Sequence, residues 1–119
     1  NIFYRSDRVQ KPFSKLKSIS IKKNMGWCDD PNSKFYNKLI KIKKNLKISH
    51  EKLYRKDHKY DFFILIKYNY KNPIKLKGSA IFLHLTKNYL PTKGCIALCE
   101  KDFLILAKLI NKKTKIKIN

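Results

Sequence analysis

The chain has 119 residues and a mass of 14.2 kDa, a length that accommodates one domain and excludes a multidomain protein. Hydrophobic residues make up 43% of it and aromatic residues 13%, which excludes a compositionally disordered chain. The longest apolar run, residues 62–66, is far below the roughly 20 residues of a membrane-spanning helix. The sequence therefore predicts a single core-forming domain with no membrane span.

The formal net charge of +21 comes from 29 basic and 8 acidic residues, a balance typical of proteins that bind nucleic acid. Of these cations, 26 are Lys and only Arg5, Arg8 and Arg55 are Arg. Arg is the residue best suited to bidentate phosphate and guanine recognition, so we expect no specific nucleic acid partner. Lys, Asn and Ile have AT-rich codons, and genome composition is the alternative source of the charge, which would still attract anionic polymers.

The first half of the chain has strand-and-loop character. Alternation over residues 18–22 predicts a half-buried strand. Residues 26–33 predict a loop in which Trp27 is either a core anchor or a glycan-binding platform, and a turn follows at residues 35–37. Residues 47–58 predict a loop or a short helix, in which the histidines have structural roles.

The second half is more regular. Residues 60–70 predict a central strand that ends at Asn72-Pro73, and residues 78–85 predict a second apolar strand. A loop over residues 87–94 leads to a short strand over residues 95–98. Period two divides the second apolar strand into one face with Ala80, Phe82 and His84 and another with Ser79, Ile81, Leu83 and Leu85.

A helix is predicted to begin at Glu100 and Asp102, because acidic residues suit a helix N-terminus and lysines suit its end. Its apolar positions follow a helical period. Residues 115–118 alternate as a closing strand would. The predicted apolar stripe of the helix consists of Phe103, Leu106, Ala107 and Ile110.

Three cysteines, Cys28, Cys95 and Cys99, form neither a dense disulfide framework nor a C-x-x-C zinc signature. An odd number leaves at least one free thiol. Cys99 is expected at a helix N-cap in a structural role, and Cys28 has a structural or a site role.

Cys95 follows a Thr-Lys-Gly turn, and His84 ends an apolar strand, so the two could form a thiol–imidazole pair. By spacing alone they could equally be a buried thiol and a structural histidine.

The stretch from Gly78 to His84 and the run Pro91-Thr92-Lys93-Gly94-Cys95 resemble the active-site segment of the L,D-transpeptidases of the YkuD type. Similarity to a proteobacterial branch extends upstream through Tyr4-Arg5-Ser6-Asp7-Arg8, Gly26-Trp27-Cys28-Asp29-Asp30-Pro31, Tyr36-Asn37, His50-Glu51 and Tyr60-Asp61. Lys93 and Ala97 differ from the residues that many members carry, and the gap between His84 and Cys95 is short. The family's domain usually has strands before its Tyr-Arg-x-Asp-Arg region, so the resemblance predicts one domain over residues 1–119 that lacks N-terminal strands.

The resemblance implies a mainly β fold, a sandwich or barrel with a C-terminal α-helix and short connecting helices. It implies acyl transfer on peptidoglycan stem peptides in the periplasm or cell envelope, with a role in cell wall biogenesis and cell shape. Cys95 would be the nucleophile and His84 the proton-transfer group. Thr92, Lys93 and Gly94 would form the active-site loop, with the Gly94 and Cys95 amides as oxyanion donors. No metal or organic cofactor is implied.

Two other functions remain as alternatives to the cysteine acyltransferase. One is a non-catalytic, basic, β-rich module that binds an anionic polymer, and the other is an inactive fragment of the enzyme fold. The ordered set of motifs favours the enzyme, whereas the charge is the only feature that favours the binding module.

Overall fold

The computed structural model describes residues 1–75, 77–86 and 96–116. Within these residues the chain is mainly β, with two sheets and one C-terminal helix, as predicted. The elements are β1 (Ile2–Tyr4), β2 (Ser18–Ser20), β3 (Met25–Cys28), β4 (Leu39–Lys41), β5 (His50–Lys52), β6 (Phe62–Leu65), β7 (Phe82–Leu85), β8 (Ile96–Leu98) and α1 (Glu100–Leu109).

The larger sheet has five strands in the order β2-β1-β6-β7-β8. Strand β6 runs antiparallel to both of its neighbours, and the two outer pairs, β1–β2 and β7–β8, are parallel. Both β6 and β7 are paired on each side, which explains why every residue of these strands is buried. Neither of the two central apolar runs is therefore at an edge of the sheet.

The smaller sheet has three antiparallel strands in the order β4-β3-β5, and it corrects two predictions. Residues 26–28 were predicted to be loop but belong to β3, which is hydrogen-bonded on both sides. Residues 50–52, predicted as loop or short helix, form β5. Each strand has three or four residues, too few for a period of two to be recognised in the sequence.

The core lies between the two sheets. Trp27 from the smaller sheet packs edge-on against Phe82 of β7, with ring centroids 5.2 Å apart. Phe63 of β6 contacts both Phe3 and Phe82 at centroid distances of 4.6 and 4.5 Å. Aromatic pairs of this kind add specificity to the area that they bury, and the burial of Trp27, 1% exposed, confirms it as a core anchor.

Helix α1 covers the opposite face of the five-stranded sheet. Phe103 and Ala107 are fully buried, and Phe103 stacks on Phe62 of β6 at 5.7 Å. The predicted helical stripe is thus confirmed. Cys99 occupies the N-cap position, also as predicted. Leu83 and Leu85 belong to this helix-side cluster, whereas Ala80 and Phe82 belong to the cluster between the sheets, as the two-residue period predicted. Ser79, predicted on the face of Leu83, instead donates to the Cys28 carbonyl of the smaller sheet, because residues 78–81 precede the regular strand.

Some predicted elements are shorter than expected or absent. The two central runs narrow to β6 and β7, and residues 66–70 form no strand because the chain turns there. In the part of the chain that the structure describes, turns take the place of the predicted short connecting helices. Residues 115–116 are irregular, and the rest of the predicted closing strand lies outside the described residues. No helix within the described ranges is long and apolar enough to cross a membrane.

Candidate active site

His84 lies in β7 with its side chain 1% exposed. It pairs with Phe63 of β6 and with Ala97 of β8, so it is held from both sides of the strand. Its ring meets the edge of the Tyr60 ring at a centroid distance of 5.8 Å. The imidazole therefore points toward the inter-sheet side of the five-stranded sheet and has little freedom to move.

The hydrogen bonds of His84 define its tautomer. Nδ1 lies 2.9 Å from the carbonyl oxygen of Leu85, and because a carbonyl can only accept, Nδ1 carries the proton. In the neutral ring, Nε2 then carries the lone pair. Nε2 is buried and has no hydrogen-bond partner among the described residues, which is unusual for a buried polar atom. The ring is thus oriented as a base with its accepting nitrogen available.

The surroundings of His84 keep it neutral. Burial is the largest effect and lowers its pKa below the usual 6.5, and the positive charges of Lys59 and Arg55 lower it further. The Leu85 carbonyl and Asp57 act in the opposite direction. A neutral imidazole with a free lone pair is the form that can accept a proton from a thiol.

The other predicted site residues, Thr92, Lys93, Gly94 and Cys95, lie outside the described residues. The predicted distance between the Cys95 sulfur and the His84 imidazole therefore stays a prediction. Ile96, which follows Cys95 in the chain, pairs with Leu83, the residue before His84.

The remaining cysteine and histidines have structural positions. Cys28 is a buried, free thiol in β3. His50 is bonded through Nδ1 to the Ile48 carbonyl at 2.7 Å, and the His58 Nδ1 lies 2.7 Å from Asp61. Within the described ranges, no group of three or more His, Cys, Asp or Glu side chains could hold a metal ion.

The sequence did not predict a role for the three arginines, which the structure brings together. Arg5 donates to the Arg55 carbonyl at 2.6 Å and makes two bonds to Asp7. Arg8 donates to the carbonyls of residues 56 and 57 and to Asp61. We call Arg5 and Arg8 the arginine clamp, because they fasten the 55–61 loop to the N-terminal segment, whereas Arg55 binds Asp57 within the loop.

The 55–61 loop in turn borders His84. The backbone N–H of Leu85 donates to the Lys59 carbonyl at 3.1 Å, and Tyr60, in the same loop, contacts the imidazole. A compositional signal was available in advance: in a chain with 26 lysines, the three arginines stand where a planar fork is needed, a geometry that lysine cannot supply.

Asn37 is a second residue whose role the sequence did not reveal. It is 1% exposed, and its Oδ1 accepts from the Trp27 indole at 2.8 Å and from the Ala80 backbone at 3.2 Å. Its Nδ2 donates to the carbonyls of Tyr68 and Asn69 at 3.1 and 2.6 Å. Asn37 thus connects the smaller sheet to the segment that leads into β7 and His84.

A family model for the YkuD L,D-transpeptidase catalytic domain matches residues 4–118, nearly the whole chain. The protein belongs to this family, and its fold is an L,D-transpeptidase-type catalytic domain. Comparison with curated proteins and comparison with solved structures each gave no match.

Proposed function

We propose that the protein is a cysteine acyltransferase that acts on peptidoglycan stem peptides, with Cys95 as nucleophile and His84 as its base. The observation that carries the proposal is the arrangement of His84 in a chain of this family. Its Nδ1–H is bonded to a carbonyl, and its Nε2 is buried with no partner among the described residues. Such an imidazole can take a proton only through Nε2.

The chain connectivity supports Cys95 as the partner of Nε2. Consecutive Cα atoms are about 3.8 Å apart, so Cys95 is tethered to Ile96, the first residue of β8. Strand β8 lies beside β7 in parallel register, with Ile96 opposite Leu83 and Ala97 opposite His84. This register, next to Cys95 in the chain, supports the choice of Cys95 as the partner of His84 in the proposal.

In the proposed reaction, Nε2 of His84 takes the proton of the Cys95 thiol. The thiolate adds to the carbonyl carbon of the third stem residue, while the Gly94 and Cys95 amides bind the oxyanion within a loop shaped by Thr92 and Lys93. The C–N bond to the terminal D-Ala breaks, and its amine receives the proton from the imidazolium. An amine of a second stem, or water, then attacks the thioester after His84 removes its proton, and Cys95 is released as the thiol.

For a protein with this chemistry we infer a location in the periplasm or cell envelope, where peptidoglycan is located, and a role in cell wall biogenesis and cell shape. The protein's own residues suffice for every step, so the reaction calls for no cofactor. The high positive charge has no part in this reaction, because acyl transfer to an amine requires a positioned base and oxyanion donors and not a site for a polyanion.

The test is to incubate the protein with a disaccharide-tetrapeptide donor and to measure D-Ala release and the intact protein mass. We expect a covalent adduct on the protein that lacks D-Ala. Cys95→Ala should abolish the adduct and D-Ala release, and His84→Gln should slow both by about 100-fold or more, the usual contribution of a general base. Cys99→Ser is the matched thiol control and should retain activity. The proposal would be refuted if the folded wild-type protein did not process this donor, or if the adduct persisted in Cys95→Ala.

A further inference from the structure

Two cations of the 55–61 loop lie beside the Tyr60 ring, which contacts His84, and the proposed reaction does not use them. The Arg55 guanidinium carbon is 5.3 Å, and the Lys59 ammonium nitrogen 5.7 Å, from the centroid of the Tyr60 ring. The same ring lies 5.8 Å from the His84 imidazole. Both positive charges are therefore at the border of the candidate active site.

The two cations differ in what already binds them. Arg55 makes two bonds to Asp57, of 2.9 and 2.6 Å, so its fork is occupied. The side chain of Lys59 has no carboxylate partner among the described residues; only its backbone N–H donates to Asp57, at 3.2 Å. Lys59 is half-buried. A partly desolvated ammonium group without a counterion is unfavourable by itself and favours the binding of an anion.

The backbone holds Lys59 in this position. Its carbonyl accepts the N–H of Leu85, the residue after His84, and the arginine clamp fastens the preceding residues through their carbonyls. The base of the side chain is therefore fixed relative to His84, while its four-carbon stem can still adapt to a ligand.

We propose that Lys59 binds the terminal carboxylate of the stem peptide, the carboxylate of the D-Ala that leaves in the reaction. This inference rests on the function proposed above. In that substrate the carboxylate carbon is one residue away from the scissile carbonyl carbon, a distance of about 3.5 Å. A donor whose scissile carbonyl is within reach of the His84 region therefore brings its carboxylate close to the loop that carries Lys59. Lys59 thereby selects donors with a free C-terminal D-Ala.

The experiment compares two donors, the tetrapeptide with a free terminal carboxylate and the same tetrapeptide with a terminal carboxamide. The wild-type protein should prefer the acid in kcat/KM by about tenfold or more, the usual effect of a hydrogen bond to a charged group. Lys59→Gln should remove most of that preference, mainly through KM, and Lys59→Arg should restore it. Lys56→Gln removes an exposed charge from the same loop and should leave the preference unchanged.

The ratio between donors separates carboxylate binding from an indirect effect on His84. Any change in the His84 pKa that Lys59→Gln causes acts on both donors equally and cancels in the ratio. An equal acid preference in wild type and Lys59→Gln, or no preference in an active wild type, would overturn the inference while the proposed function stands. A wild-type protein that processes neither donor would refute the proposed function and this inference with it.

Discussion

At the scale of single residues, His84 combines a fixed orientation with a pKa held below its usual value. Strand pairing on both sides fixes its backbone, the Tyr60 ring contacts its imidazole, and the bond to the Leu85 carbonyl assigns the proton to Nδ1. Burial disfavours the charged form. A histidine in this state costs stability when the pH falls, because the unfolded chain accepts a proton that the folded chain does not.

The first prediction follows from that difference. The pKa of His84 is about 6.5 in the unfolded state and lower in the folded state, so its contribution to stability is complete above pH 6.5 and is lost as the pH falls below it. Denaturant unfolding between pH 7.5 and 5 should show the free energy of unfolding decreasing by up to about 1.4 kcal/mol per pH unit. His84→Gln should flatten this dependence, whereas His58→Gln, which removes a largely exposed ring, should retain it. A wild-type stability that is constant over this range would contradict the assignment.

The second prediction concerns Asn37, whose backbone has a positive φ of 58°. Asn37→Gly keeps that conformation accessible but leaves the Trp27 indole and the Ala80 N–H without their acceptor. It should lower the free energy of unfolding by about 2–6 kcal/mol, since each of these two buried groups costs about 1–3 kcal/mol when it loses its partner. Asn37→Ala should cost about 1 kcal/mol more, because a Cβ is unfavourable in the left-handed region.

Urea unfolding, monitored by the fluorescence of Trp27, gives the free energy of unfolding of both variants. Trp27 is the single tryptophan of the chain and contacts Asn37 directly. If alanine proved less destabilising than glycine at position 37, the left-handed backbone would not be required there.

At the scale of elements, the arginine clamp joins parts of the chain that are far apart in sequence. Arg8 donates three hydrogen bonds to residues 48 to 53 positions away. Two of these end on backbone carbonyls of the 55–61 loop, which has no regular secondary structure to satisfy them. The position of the loop beside His84 therefore depends on side chains rather than on a strand or helix of its own.

The third prediction is that Arg8→Lys lowers the free energy of unfolding by about 1–3 kcal/mol and reduces activity. A lysine cannot reproduce the fork that reaches two carbonyls and Asp61 at once, so at least one acceptor loses a charged partner. The loop that carries Tyr60 should then become more mobile, and misplacement by about 1 Å can lower rates by roughly 100-fold.

Thermal unfolding and turnover of the tetrapeptide donor are the measurements for this variant. Lys56→Arg, an exchange of the same two residue types at an exposed site of the loop, is the control and should be neutral. If Arg8→Lys had the stability and activity of the wild type, the arginine clamp would not be required for either property.

At the scale of the whole molecule, three layers are stacked: the smaller sheet, the five-stranded sheet and helix α1. A net charge of +21 surrounds this compact core and repels itself. The few carboxylates thus matter more than in a balanced protein, and three of them, Asp7, Asp57 and Asp61, are bound by arginines.

The fourth prediction concerns acid stability. The bond to Arg5 holds the pKa of Asp7 well below its usual range, and the bond to Arg55 lowers that of Asp57 to about 2. Because both values are below the unfolded value near 3.9, the stabilisation is present above pH 4 and is lost as the pH falls toward 2. Thermal unfolding midpoints should decrease over this interval, less steeply in Asp57→Asn, and added salt should recover part of the loss by screening. A decrease of equal slope in both proteins would rule out a contribution from Asp57.

The local pattern of apolar and polar residues in the sequence was sufficient to predict part of this fold. The apolar stripe of α1 and the alternating faces of β7 follow from side-chain geometry within one element, and both could be recognised before any contact was known. The motif around His84 and Cys95 likewise identified the family, and with it the candidate base. These features depend on residues that are neighbours in the sequence.

Long-range contacts determined the rest. Strand β3 was predicted as loop, and β5 as loop or a short helix, because three or four residues carry no recognisable period. They are strands only because each finds a partner across the sheet. The arginine clamp, the Asn37 contacts and the position of Lys59 beside the Tyr60 ring that contacts His84 depend on the fold, and nothing in a local pattern encodes which lysine lies near the candidate base. Such pairings form only when the chain folds, since hydrogen bonding and desolvation at one residue depend on what the rest of the chain brings to it.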